Sequence, residues 1–317
     1  MSKTCSNMSN NPIWLHPKAP SDLEHQLDAL LADCLNRAPI GNKGSGIKGI
    51  RLFWTSVAGP PAPVIYEPGI VLILRGSKQG SLGSQTLHYD RDTYLVFTLP
   101  THLVCTTHAS EMDPLCGLFL SINRDDLTKL IASMAEVSAI PTREAGYSVS
   151  SGPVTDEMRS TIKRIFDTIG DPVAGNVIGP SLRQELLFHI LRGPCGPDLA
   201  ALLNQGGEHI LLENLIQTIR KDITSPISVE TMAQRTGMSL STFHRAFRNR
   251  TGQTPLQYVK KLRLHAAREM IAYKGTRVSE AALSVGYESC SQFTREYKGL
   301  FGETPREARN LVLHDTG

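Results

Sequence analysis

The apolar residues of the chain fall into successive patterns. In "SDLEHQLDALLADCLNR", Leu23, Leu27, Leu30, Leu31 and Leu35 recur at helical spacing. Ser21 and Glu24 make a capping box, the serine accepting from the amide three residues on and the glutamate reaching back. Gly41, Gly44 and Gly46 then break the period. From about 47 to 122 the apolar residues gather into short β-rich runs, "IRLFWTSV", "GIVLILRG", "TYLVFTL" and "LCGLFLSI". Turn material such as "GPPAP", "GSKQGS" and "YDRD" separates them. Short strands at this spacing predict a sandwich or barrel.

A helix follows Asn123, with Asp125 and Asp126 in its first turn, at the positive end of the dipole. Beyond about 153 the helical period returns in "TDEMRSTIKRIFDTI", "SLRQELLFHILRG" and "EHILLENLIQTIRKDI". The second of these starts at Pro180 or Ser181 and ends at Gly193-Pro194. Met158, Ile162, Ile165, Phe166 and Ile169 form one stripe, suited to core packing or to a dimer contact. The Gly-rich "NQGGEH" marks a boundary near 205. The chain is expected to divide into a polar, disordered tail over 1–18, an N-terminal domain over 19–204 and a C-terminal domain over 205–317.

Near the C-terminus one pattern is written twice. "ISVETMAQRTGMSLSTFHRAFRNRTGQTP" and "VSEAALSVGYESCSQFTREYKGLFGETP" share landmarks fifty residues apart: Arg245 with Arg295, Gly252 with Gly302, Pro255 with Pro305. Ser228 and Ser279 are expected N-caps, and Ile227 with Met232 and Val278 with Leu283 expected staples. Gly237 or Gly286 ends each first helix. Each second helix carries aromatics at i and i+4, Phe243 and Phe247 or Phe293 and Tyr297, on one face. Each copy is thus a helix-turn-helix. The opposite face holds Ser241, Thr242, His244, Arg245 and Arg248 in the first copy, and Cys290, Ser291, Thr294, Arg295 and Lys298 in the second. Arg suits guanine O6/N7 or phosphate, and Ser and Thr suit either bases or phosphates. No carboxylate lies between Ser239 and Arg250, whereas Glu288 and Glu296 flank the second copy. Thr254 caps and Pro255 starts the joining helix, whose twenty residues span roughly 30 Å. One turn of B-DNA is about 34 Å, so this helix has the length to hold two recognition helices over adjacent major grooves.

Charge agrees with that reading. The chain carries a net +3, but residues 220–317 hold 16 Lys/Arg and 9 Asp/Glu, a net +7, against a net −4 for the rest. A basic module suits an anionic partner, although a modest excess also fits a solvated surface. The six cysteines show no zinc or disulfide spacing, so a reducing cytosol is expected. No run approaches the ~20 apolar residues that cross a bilayer, and the polar N-terminus has no signal-peptide core; no membrane partner is expected.

The quoted repeats, with "GMSLSTFHRAF", "TGQTPLQYVKKLRLHAAREMI" and "VGYESCSQFTREYKGLFGETP", resemble the AraC/XylS family of bacterial transcription regulators over about 210–310. Upstream, "YEPGIVLILRGSKQGSLGSQTLHYDRDTYLVF" resembles the cupin-like N-terminal regulatory domain of one AraC-type subgroup, over roughly 20–190. The resemblance implies an α+β chain: a cupin-like β-barrel or sandwich with flanking helices, then an all-α domain of two helix-turn-helix units joined by a long helix. It implies a cytoplasmic, sequence-specific regulator, an activator modulated by a small molecule. Its partners would be double-stranded promoter DNA, RNA polymerase and a small-molecule effector, with a homodimer left open. Aligned motif to motif, base-reading positions fall on Ser241, His244 and Arg245, then on Cys290, Ser291, Thr294 and Arg295. A regulator without a small ligand, controlled by protein partners or abundance, fits the same residues.

Other chemistry is thin. Metal cupins resemble one another in an H-x-H pair with a carboxylate and a later His; here His88 precedes Tyr89 and Asp90, and His102 and His108 stand singly. There is no G-x-S-x-G and no phosphate loop, and "GSKQGSLGS" between β-like runs reads as a hairpin turn. No metal, cofactor or catalysis is expected, a cupin-type enzyme being the remote alternative. Cys105 and Cys116 flank a turn and could meet in a sheet, though buried small apolar residues are the plainer reading. Tyr66, Glu67, Arg75 and His88 lie beside apolar strands and are candidates to line an effector pocket; surface or framework roles are the plainer alternative for each.

Overall fold

The four apolar runs become neighbouring strands. In the computed structural model, residues 23–135, 148–203 and 207–308 are described. The N-terminal half contains α1 (Leu23–Arg37), β1 (Ile40–Gly44), β2 (Ile50–Thr55), β3 (Gly59–Tyr66), β4 (Gly69–Arg75), β5 (Ser77–Leu82), β6 (Gln85–Tyr89), β7 (Thr93–Phe97), β8 (Thr101–His108), β9 (Leu115–Ser121), α2 (Arg124–Ala135), β10 (Val149–Pro153), α3 (Asp156–Thr168), α4 (Pro172–Val177), α5 (Gly179–Arg192) and α6 (Gly196–Ala201). One antiparallel sheet has the order β1-β2-β9-β4-β7-β10 and the other β3-β8-β5-β6. The two face each other as a sandwich and do not close into a barrel.

Alternation along each strand sorts its residues between two cores. Ile50, Leu52 and Trp54 of β2 point to the helices, where Met158, Ile162, Ile165 and Phe166 of α3 and Leu186 and Ile190 of α5 cover them. The α3 stripe is therefore spent inside this chain, not left open for a dimer. Val71, Ile73, Tyr89, Phe97 and Leu103 point between the sheets. Cys105 lies there too, whereas Cys116 lies in the helix-facing core beside Cys34, so the two thiols do not meet. Burial raises both, Cys116 to about 12.

Two stretches with the composition of turns are strands. "GPPAP" lies in β3, an edge strand, where Pro costs no ladder bond that the edge needs. "GSKQGS" largely forms β5, and the tight turn sits after it, at Gly83 with φ +61°. Gly80 within β5 lets Leu103 approach so closely that a Cβ would lie 3.0 Å from it. The Ser21 capping box, the 1–18 tail and the boundary near 205 fall on, or depend on, residues outside those described.

The C-terminal half contains α7 (Glu208–Lys221), α8 (Val229–Arg235), α9 (Leu240–Thr251), α10 (Pro255–Lys274), α11 (Val278–Ser284) and α12 (Cys290–Phe301). The repeated signals mostly fold alike. Ser228 caps α8 by accepting from the Thr231 amide at 3.1 Å. Gly252 and Gly302 end α9 and α12 in the left-handed conformation, at φ +69° and +77°. Both Thr-Pro pairs make capping boxes: Thr254 with Gln257, and Thr304 with Glu307. The second unit departs at its start. Arg277, not Ser279, is the N-cap of α11, so Val278 opens the helix instead of preceding its cap. Leu283 is 62% exposed and staples nothing. Phe243 and Phe247 fill one core and Phe293 and Tyr297 a second, all fully buried.

Candidate nucleic-acid interface

Burying the aromatic stripes leaves the opposite faces of α9 and α12 in solvent. On α9, Ser241, His244, Arg245 and Arg248 are exposed and Thr242 half-buried. On α12, Cys290, Ser291, Arg295 and Lys298 are exposed, and half-buried Thr294 donates its hydroxyl to the Cys290 carbonyl at 2.8 Å. Among the described residues, Arg245, Arg248, Arg295 and Lys298 hold no ion pair. Four cations therefore stand ready on two helix faces, without the cost of breaking a pair before meeting phosphate or base.

Of the two acids flanking the second face, Glu288 is exposed and Glu296 is disarmed. Glu296 accepts from the Tyr287 hydroxyl at 2.8 Å and pairs with Lys260 of α10 at 3.3 Å, so it points back into the fold. Despite partial burial, these hydrogen bonds hold its carboxyl below the usual range. The joining helix α10 is tied to both units by Arg263. Its guanidinium donates to the carbonyls of Ile223 at 2.9 Å and Ser225 at 3.0 Å ahead of α8, and of Gly286 at 3.4 Å in the second unit's turn. Nothing in the periodicity singles out Arg263.

The four sequence-predicted effector residues stand in four surroundings. Tyr66 lies between the sheets, stacked on Phe97 with ring centroids 4.5 Å apart. Glu67 takes a two-pronged bond from Arg220 of α7, at 2.6 and 2.7 Å. Arg75 pairs with Glu24 at 2.9 Å and Asp28 at 2.8 Å, both on α1. His88 is exposed on the outer side of β6. Between the sheets the structure gathers residues that no sequence pattern marks. The Tyr66 hydroxyl meets that of Tyr89 at 2.7 Å, which meets Cys105 Sγ at 3.5 Å. The Lys78 ammonium lies over the Phe53 and Tyr66 rings, 5.7 and 6.0 Å from their centroids, with no ion pair among the described residues. Burial holds it below the ordinary lysine value. Phe53 and Phe119 lie on glycines: a Cβ on Gly117 would come within 2.4 Å of the first ring, and one on Gly69 within 2.3 Å of the second. Arg51 covers Phe119 at 4.8 Å. No group of three or more His, Cys, Asp or Glu placed to hold a metal occurs among the described residues.

Residues 46–198 match the family model for the AraC-type transcriptional regulator N-terminus, and residues 232–311 match a helix-turn-helix domain model spanning both repeats. The chain belongs to the AraC family of transcriptional regulators. It is similar to the HTH-type transcriptional activator RhaS of Escherichia fergusonii, 27% identical over 54% of this chain and 61% of that protein. It is also similar to the HTH-type transcriptional regulator ArgR of Pseudomonas aeruginosa, 31% identical over 43% of this chain and 42% of that protein. The matched stretch thus spans about half the length of these relatives. In fold it resembles ToxT of Vibrio cholerae, in a crystal structure with an unsaturated fatty acid bound, at a TM-score of 0.57 and 10% identity over 81% of this chain and 93% of that one.

In this AraC-family chain the two halves are joined by specific contacts. The Tyr258 hydroxyl of α10 donates to the Pro100 carbonyl at 2.6 Å, and the Ser148 amide donates to the Arg250 carbonyl at the end of α9 at 2.8 Å. Leu99, from between β7 and β8, is buried in the core of the first helix-turn-helix unit. Arg250 is 3% exposed, so it belongs to this junction and not to the DNA face. The second unit faces β3 across a cleft of about 910 Å³, lined by Glu67, Arg220, His265, Arg268 and Glu303 among others. No described helix is long and apolar enough to cross a membrane.

Proposed function

We propose that this chain is a sequence-specific DNA-binding transcription regulator, an activator working in the cytoplasm with RNA polymerase. In this reading α9 and α12 enter successive major grooves of a promoter, Arg245 and Arg295 reading bases while Arg248 and Lys298 hold phosphates. The observation that carries it is the pair of unpaired cationic faces on buried aromatic stripes, joined by the roughly 30 Å α10. The first unit carries most of the specificity, because Cys290 and Ser291 offer shorter and weaker readout than His244 and Arg245. Selection of duplexes from a random pool with the full chain, followed by affinity at several salt concentrations, tests it. A recovered consensus bound with a steep negative salt slope is the expected result; no enrichment and no salt dependence would refute it.

The N-terminal half is proposed to sense a small molecule between its sheets, near Tyr66. A half-buried ammonium over aromatic rings, without a carboxylate partner among the described residues, suits an anion with a flat or apolar body, and Lys78 is its seat. The fatty acid named in the ToxT structure has that chemistry. Expected outcome: in a thermal-shift panel of aromatic and aliphatic carboxylates, each beside its neutral amide, at least one acid raises the melting temperature and its amide does not. At a hundredfold excess over Kd the gain is about 2.7 kcal/mol. Lys78→Met should remove the shift. A flat panel would favour control by protein partners or by abundance.

A further inference from the structure

Where the four-stranded sheet meets the C-terminal helices stand two histidines that neither DNA reading nor effector sensing uses, one on the sheet and one on α10. His102, on β8, is 4% exposed, and neither ring nitrogen has a hydrogen-bond partner among the described residues. Its ring meets Tyr258 of α10 edge-on, centroids 4.6 Å apart, and lies 5.6 Å from the ring of His265, also on α10. His265 Nε2 is likewise without a partner, and its ring stands edge-on to Phe301 of α12 at 5.0 Å. Buried polar groups are nearly always hydrogen-bonded. Two orphaned imidazoles at one junction of two halves are an anomaly with a physical consequence: a neutral ring packs there, and a charged one does not.

We infer that His102 and His265 form a proton-operated latch between the N-terminal half and the DNA-binding half. Neutral, they pack as aromatic rings and let the halves dock. Protonated, they part them.

The charges around the pair set the sign. Arg220 reaches the site from α7, and Lys261 and Arg268 from α10 itself. On the β3 side Glu67 is engaged by Arg220, and from the second unit Glu303 is engaged by Arg268 at 2.8 Å. Glu269 is exposed on the cleft wall. Ile65 faces His102 in the β3–β8 register and offers no charge. An imidazolium at His102 would therefore meet Lys261 and Arg220, and one at His265 would meet Arg268 and Lys261, while two of the three nearby carboxylates are already paired. Burial, with the neighbouring positive charges, holds His102 well below the ordinary histidine value and brings His265 down to about 4. A histidine released from the junction returns to about 6.5. Docking is thus fully favoured above about pH 6.5 and weakens as pH falls, because the parted form takes up the protons. Each histidine contributes about a tenfold loss in the docking ratio per pH unit in that window. Ordinary carboxylates titrate nearer 4, so between pH 7 and about 5 the histidines are the groups here that change charge.

The test is small-angle scattering of the full chain without DNA, from pH 7.5 to 5.0, with far-ultraviolet circular dichroism confirming that both halves stay folded. The radius of gyration should rise as pH falls below about 6.5, with the docked-to-parted ratio dropping about ten- to a hundredfold per unit. His102→Phe with His265→Phe keeps the rings and removes the protons, so its profile should stay flat. If that protein does not fold, His102→Gln alone should halve the steepness. A flat wild-type profile, an unchanged slope in His102→Gln, or a step that survives in the double variant would overturn the latch.

Discussion

Replacing Arg245 with Ala should weaken binding to the selected operator by roughly 5- to 150-fold, about 1–3 kcal/mol, the worth of one good base-reading contact. The structure makes this a clean experiment. Arg245 is exposed and holds no ion pair among the described residues, so its removal leaves no buried group without a partner. Surface changes of that kind shift stability by no more than about 0.5 kcal/mol. The effect should therefore appear as lost discrimination, with affinity for unrelated duplex falling much less. Arg248→Ala should do the reverse if it holds phosphate: a near-uniform loss across sequences and a salt slope smaller by about one. Arg295→Ala should relax choice at the other half-site, with a smaller effect than Arg245→Ala. Competition electrophoresis against the selected and scrambled duplexes reads all three.

The largest stability effect should come from Phe247→Ala. The ring is fully buried, 5.5 Å from Phe243 and edge-on to Tyr258 at 5.3 Å, in the core that also receives Leu99 from the N-terminal half. Large-to-small changes at such sites cost about 3–5 kcal/mol. Whole domains are stable by only about 5–15 kcal/mol, so the first unit should lose most of its folded population on mild heating. The two recognition helices are built on separate cores, and the damage should respect that separation. Hydrogen exchange should show protection lost across 228–260 in Phe247→Ala, and across 278–302 in Phe293→Ala. Operator binding should fail in both. Protection lost evenly over both units in either variant would show that the cores are not independent.

How much of this is legible in the chain follows from the range over which each signal acts. The i, i+4 aromatics, the Gly stops and the Thr-Pro caps are decided within one or two helical turns, and they place α9, α10 and α12 to within a residue or two. The four strongest apolar runs stand out because β2, β4, β7 and β9 are central and bury both faces or nearly so. β3 and β5 escape notice because one face of each stays partly open and their composition, rich in Pro, Gly and Ser, imitates a turn. The Arg220–Glu67 pair joins residues 153 positions apart, and the Tyr258–Pro100 bond residues 158 apart. No local period encodes such contacts; they arise when the sheet and the helices dock. The same holds for Lys78, whose place among rings depends on two sheets meeting face to face. Glu296 looks in sequence like a blemish on the second DNA face. Its position is visible there, but its partner is not: Lys260 comes from α10, a separate element that only the fold brings alongside.

The most direct measurement of the central claim is a hydroxyl-radical footprint of the full chain on its selected duplex, repeated with Arg245→Ala and Arg295→Ala. Two protected segments on one face of the DNA are expected, their centres about 10–10.5 base pairs apart, with each variant weakening a different segment. A single protected segment, or two that respond together to either substitution, would contradict the reading of α9 and α12 as helices set over successive grooves.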